Sequence, residues 1–179
     1  DRLAERVLAA ADTLPEHPTE FELMTAIGFL WFAEAGCDLV VVEVGLGGRL
    51  DSTNVIPAPE AAVITNIGLE HTAILGSTLA AIAAEKSGIL KPGCRAVLYG
   101  QSREVGEVVA RVCAEKEIPL TVTDASQLTL LSSGLDGQRF TYRGSAPLLL
   151  PLLGDYQLRN AMTVLDTVDA LRAQGWNIS

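Results

Sequence analysis

Two hydrophobic periods alternate along the first two thirds of this chain. Residues 2–11 place apolar and polar positions at helical spacing, and Pro15 and Pro18 break the pattern. Thr19 opens a second helix as N-cap, with Glu22 in the capping-box position. That helix is predicted to run to Ala35 and to stop at Gly36. Residues 39–44 form a β-branched run without alternation, which reads as a strand buried on both faces of a parallel sheet. A second apolar strand spans 61–67 and ends at Gly68. Ser77 or Thr78 then caps a helix that continues through Lys86 to Gly88. A strand over 95–99, a helix over 103–116 and a strand over 120–123 follow.

This alternation predicts βαβ units and a largely parallel, Rossmann-like sheet flanked by helices, an α/β fold. The pattern changes after residue 124. Short strands over 128–131, 139–143 and 148–152, separated by Gly-containing turns, predict a small antiparallel appendage within 124–153. A last amphipathic helix spans 155–173, with Leu158, Ala161, Met162, Leu165, Val168 and Leu171 near one face. No repeat, low-complexity tract or long linker interrupts the chain, so 1–179 is expected to form one domain.

Composition narrows the classes. At 179 residues and 49% hydrophobic, the chain is long and apolar enough for a real core. No apolar run reaches the roughly 18 residues of a membrane span, and no signal peptide is visible. The net charge of −9 argues against a nonspecific nucleic-acid binder. It leaves nucleotide binding open, because a bound metal supplies positive charge locally. Cys37, Cys94 and Cys113 are odd in number and widely spaced, as in a reduced, cytoplasmic protein with incidental thiols. The chain starts at Asp1 without Met, which is expected of a piece of something longer.

Four places bear possible chemistry. Glu43 stands at the carboxyl end of the 39–44 run, above the glycine-rich turn Gly45-Leu46-Gly47-Gly48. Ligands of open α/β sheets bind at such strand ends, so Glu43 is a candidate to hold a cation or a reacting group. The alternative is a tight turn in which backbone donors satisfy Glu43. A dinucleotide fingerprint fails, because Leu50 stands where the third glycine is needed and 51–57 is a poor helix start. Thr65 to Thr72 follows the next strand and contains His71, which could be a ligand or a hydrogen-bonded structural residue. Lys86 near a helix C-terminus suits the macrodipole, whatever else it does. Tyr156 to Asn160 opens the last helix. Capping explains Asp155 but not Asn160, which could be solvated or could read a base edge.

At these places the sequence resembles the folylpolyglutamate and dihydrofolate synthases, in the Mur-ligase-like group of ATP-dependent amide ligases. Glu43 to Asn54 resembles E-V-G-L-G-G-R-L-D-A-T-N, with Ser52 for Ala. Ile64 to Gly76 resembles I-T-N-I-G-x-D-H-x-x-x-L-G, with Glu70 for Asp. Ile82 to Gly93 resembles I-A-x-E-K-A-G-I-x-K-x-G, and Thr19 to Thr25 resembles T-x-F-E-x-x-T. Gly154 to Ala161 resembles G-x-H-Q-x-x-N-A, with Tyr156 where His is usual. All five are in order and in register over nearly the whole chain.

The resemblance implies a partial central domain and the addition of L-glutamate to dihydropteroate or to folate polyglutamates through an acyl phosphate. It implies ATP and two Mg²⁺ sites: Glu43 on the first metal, His71 and a carbamylated Lys86 on the second. It implies Asn160 at the adenine, and Thr19, Glu20, Phe21, Glu22, Leu50, Asp51 and Ser52 along the pterin-substrate site. It implies a monomeric, cytoplasmic enzyme with small-molecule substrates and neither nucleic-acid nor membrane partners. The family's phosphate loop, G-T-N-G-K-G-S, and its C-terminal domain are not in this sequence. The 179 residues alone are therefore expected to lack ligase activity. Alternatives are a peptidoglycan-type Mur ligase, a noncatalytic α/β scaffold and an NAD-type binding domain.

Overall fold

Thr19 and Glu22 form a reciprocal capping box: Thr19 Oγ1 accepts from the Glu22 amide, and the Glu22 carboxylate accepts from the Thr19 amide at 2.7 Å. The computed structural model in which this box stands describes residues 2–179. They fall into two compact units, Asp1–Ile56 and Pro57–Ser179.

The first unit pairs helix α1 (Arg2–Ala11) with helix α2 (Glu20–Ala35). Val7 and Ala11 are buried, and Glu34 of α2 receives Arg2 and Arg6 of α1. Gly36 ends α2 in the left-handed region at φ +65°, donating to the Ala33 and Phe32 carbonyls. The expected buried strand over 39–44 is not found. The segment has no regular secondary structure, pairs with no other strand among the described residues, and leaves Val41 90% exposed. β-branched residues favour extended backbone, but a ladder also needs a neighbouring backbone to pair with. A single 3₁₀ turn, Ser52–Val55, follows the glycine loop where only irregular chain was expected.

The second unit is the α/β body. Strands β1 (Ala61–Ile64), β2 (Arg95–Leu98) and β3 (Leu120–Val122) form a parallel sheet in the order β1-β2-β3. Each is shorter than the apolar run that predicts it. Helices α3 (Thr72–Leu75), α4 (Leu79–Lys86), α5 (Arg103–Glu115) and α6 (Asp155–Ala173) complete it. Thr78, not Ser77, caps α4 through the Ala81 amide at 3.1 Å. Ile82 and Ala83 of α4 and Val105, Val109 and Cys113 of α5 share one core with Ala62, Ile64, Ala96 and Leu98 of the sheet. Strand alternation turns buried Val97 to the opposite face, and α6 packs along β1 and β2.

The appendage forms as expected. Strands β4 (Leu128–Gly134), β5 (Gly137–Tyr142) and β6 (Leu148–Leu150) make an antiparallel sheet in that order. Phe140 and Tyr142 of β5 pack on Leu158 and Met162 of α6. Asp166 of α6, 2% exposed, accepts from Tyr142 Oη at 2.9 Å and Arg143 Nε at 3.0 Å. Arg143 also donates to the Val122 carbonyl at 3.3 Å, so one guanidinium joins α6, β5 and the end of β3. Burial, with the bond to Asp166 adding to it, holds the Tyr142 phenol above its usual range and keeps it a donor at neutral pH. Among the described residues no helix is long and apolar enough to cross a membrane.

Candidate active site

In the first unit the glycine loop folds around Asp51, not around Glu43. Asp51 Oδ2 accepts from the Leu46 amide at 2.9 Å, and Oδ1 accepts from the Thr53 amide at 2.9 Å and from Thr53 Oγ1 at 2.5 Å. Partial burial works to raise its pKa. The hydrogen bonds from Thr53 and the Leu46 and Gly45 amides outweigh that, and hold the carboxyl below the usual aspartate range. The Glu43 side chain is exposed and has no hydrogen-bond or ion-pair partner among the described residues. The backbone-satisfied carboxylate is thus Asp51, and Glu43 remains free to take a ligand.

The loop docks on the start of α2. Thr25 Oγ1 lies 3.1 Å from Ser52 Oγ, and the Phe21 ring covers Gly45 so closely that a Cβ there would sit 2.6 Å from it. The two segments that the resemblance puts at one site, 19–22 and 50–52, are thus brought near each other through Phe21 on Gly45 and Thr25 on Ser52. Within them, Thr19 and Glu22 are engaged with each other, Glu20 is exposed in the first turn of α2, and Leu50 is 80% exposed.

In the second unit an open cavity of about 590 Å³ lies at the carboxyl ends of β1 and β2. Asn66 lines it from the loop after β1, Tyr99 to Ser102 from the turn after β2, and Tyr156, Arg159 and Asn160 from the start of α6. This is where ligands bind in open α/β sheets. Gly100 has no room for a side chain: a Cβ would come within 2.1 Å of the Thr123 carbonyl oxygen. Asn160, expected at a base, does face the cavity, with its Nδ2 donating to Gln157 Oε1 at 3.2 Å. Asp155 is not the cap of α6. Gly154 holds that position at φ +102°, and Asp155 is the first helical residue, where its charge complements the helix dipole.

His71 precedes α3 in the left-handed region, at φ +50°, which is uncommon for a residue with a Cβ. Its ring makes no capping bond. Lys86 ends α4, half-buried, and its Nζ has no hydrogen-bond or ion-pair partner among the described residues. Among the described residues no three His, Cys, Asp or Glu side chains form a metal-holding group. Sequence reasoning passed over Tyr99 to Ser102. They follow β2 just as Asn66 follows β1, and the strand-end rule applied after Leu98 would have found them.

The Mur ligase middle domain family matches residues 10–168. The chain is 37% identical over 169 residues to the folylpolyglutamate synthase of Lacticaseibacillus casei, covering 87% of this chain and 37% of that protein. It is 39% identical over 158 residues to the dihydrofolate synthetase of Saccharomyces cerevisiae, covering 86% and 36%. Among solved structures, an FPGS-AMPPCP complex superposes with a TM-score of 0.84 at 34% identity, over 98% of this chain and 44% of that one. The apo form of the L. casei enzyme gives 0.83 at 35% identity, over 98% and 43%. This chain thus spans a little over a third of the length of the curated relatives it matches. With a strand-end cavity on a parallel sheet, a glycine loop docked on a capped helix and a match over nearly all its residues, the chain belongs to the Mur ligase middle domain family.

Proposed function

We propose that this chain supplies the middle-domain part of an ATP-dependent ligase that joins L-glutamate to dihydropteroate or to folate polyglutamates. The observation that carries this reading is the cavity at the carboxyl ends of β1 and β2, walled by Asn160, in a chain of this family. Solved relatives include complexes with AMPPCP and with AMPPCP and folate, which supports ATP and a folate as ligands. In this reading Asn160 meets the adenine, and residues 19–22 with 50–52 line the folate side. That these two segments lie near each other supports the second assignment. We read 1–179 as one partial domain with the 124–153 appendage inside it, from a monomeric cytoplasmic enzyme.

The donor chemistry fits Mg²⁺. Glu43 offers an unpaired carboxylate, and Lys86 an unpaired amine that can add CO₂. In that addition the nitrogen lone pair bonds to carbon and the nitrogen loses a proton, which leaves an anionic oxygen donor; His71 would be the nitrogen donor of the same metal. Bound Mg²⁺ would neutralise phosphate charge and stabilise an anionic tetrahedral centre. Asp51 keeps the glycine loop closed, so that its amides and Ser52 hold one geometry.

The test uses a full-length ligase containing this segment, assayed for phosphate release with ATP, Mg²⁺ and glutamate. Dihydropteroate and tetrahydrofolate are compared as acceptors. Activity with either, abolished by Glu43→Ala, is expected and names the substrate. Silence with both in a folded protein removes the folate reading and favours a peptidoglycan-type substrate. The 179 residues alone are expected to release no ADP in a glutamate-dependent manner.

A further inference from the structure

We infer that Gln101 is a positioning residue that sets the nucleotide cavity by tying the loop after β1 to the turn after β2; this rests on the nucleotide reading of that cavity. The parallel ladder between these strands ends with the Tyr99 amide donating to the Ile64 carbonyl at 2.9 Å. Beyond that bond the ladder stops, and the side chain of Gln101 takes over. Its Oε1 accepts from the Ile67 amide at 2.8 Å. Its Nε2 donates to the Thr65 carbonyl at 3.2 Å and to the Tyr99 carbonyl at 3.1 Å. One primary amide thus grips both backbone groups that flank Asn66 and anchors them to the end of β2.

Two features separate this role from direct binding. A primary amide has two N–H donors, and both are taken by carbonyls, so Gln101 has no donor left for a ligand in the cavity it lines. The grip also acts on a two-residue bridge between Ile64 and Ile67, both buried in the main core. Thr65 and Asn66, which form the bridge, are exposed. Without Gln101 the Ile67 amide would lose its partner and the exposed pair would lose its tether. Asn66 would then no longer hold its place in the cavity wall opposite Asn160 and Tyr156.

The test compares Gln101→Met and Gln101→Glu with the unaltered protein, using AMPPCP as the probe in a full-length ligase containing this segment. Methionine keeps the volume and removes all three hydrogen bonds. Glutamate keeps the acceptor for Ile67 and sets an anionic oxygen against two carbonyls. The dissociation constant for AMPPCP is expected to rise about tenfold in Gln101→Met, the scale of one unsatisfied buried amide, and at least as much in Gln101→Glu, whose carboxylate faces two carbonyls. The KM for ATP should follow it while kcat changes little, and exchange of the Ile67 amide should accelerate in Gln101→Met. Faster exchange with unchanged AMPPCP affinity would make Gln101 merely structural and overturn the inference while the nucleotide reading stands. Failure of the unaltered protein to bind AMPPCP would overturn both.

Discussion

Asp51 and Glu43 show how two carboxylates eight residues apart take opposite roles. Asp51 is saturated by the loop it organises, and Glu43 has no partner among the described residues. The depressed pKa of Asp51 has a testable sign. A carboxyl held below its unfolded value stabilises the fold above that value and loses the contribution as pH falls through the lower one. NMR shifts of the Leu46 and Thr53 amides are therefore expected to titrate with a midpoint below 3.8, the ordinary aspartate value. Asp51→Asn should remove the titration. A midpoint at or above 3.8 would show that burial outweighs the hydrogen bonds. From sequence alone the two acids look alike, because each flanks the same glycines. What separates them is which way the loop amides point, and that emerges only when the loop closes on Phe21.

Among the elements, the helix ends were the most legible. Thr19, Glu22, Gly36 and Thr78 act through bonds to their own neighbours, and local bonds leave local signals. Strand ends were less legible, since apolar residues continue past the last ladder bond; Ile67 belongs to the core but not to β1. Helix α3 is only four residues long and has no side-chain cap to announce it. The buried acid of α6 left no signal either. Asp166 sits where the helical pattern calls for an apolar residue, and its partners Tyr142 and Arg143 lie more than twenty residues away. Replacing it tests the join between α6 and the appendage. Asp166→Ala should cost about 2 kcal/mol in urea unfolding, the scale of lost hydrogen bonds to a charged group. The loss should be smaller than for a wholly buried ion pair, because Arg143 is half-exposed and stays solvated. No change in the midpoint would mean that the Val122 carbonyl and the ring of Tyr142 suffice for Arg143.

Over the whole molecule, burial is unevenly shared. Ala96, Val97 and Leu98 of β2 are almost wholly inaccessible, whereas α2 contains no buried residue. Amide exchange is expected to be slowest in β2 and α5 and fast through 39–44, which has no ladder among the described residues. Strong protection at Val40 to Val42 would instead reveal a backbone partner for that run. Most of the order of strands and helices from 61 to 173 was readable because most elements there, α6 on β1 and β2 apart, bury apolar faces against elements near them in sequence, and only α3 went unread. Residues 39–44 have the composition of a central strand without such a neighbour, so their pattern described a requirement that the described residues do not meet.

Gly100 bears on how this cavity could be re-engineered. Its missing side chain lets β2 and β3 end in contact, with the Thr123 carbonyl where a methyl group would stand. A combinatorial library aimed at a new nucleobase would gain nothing from randomising that position, because every replacement wedges the two strand ends apart before it meets a ligand. Diversity belongs at Ser102, Tyr156 and Arg159, exposed positions of the rim that can change shape without moving the floor.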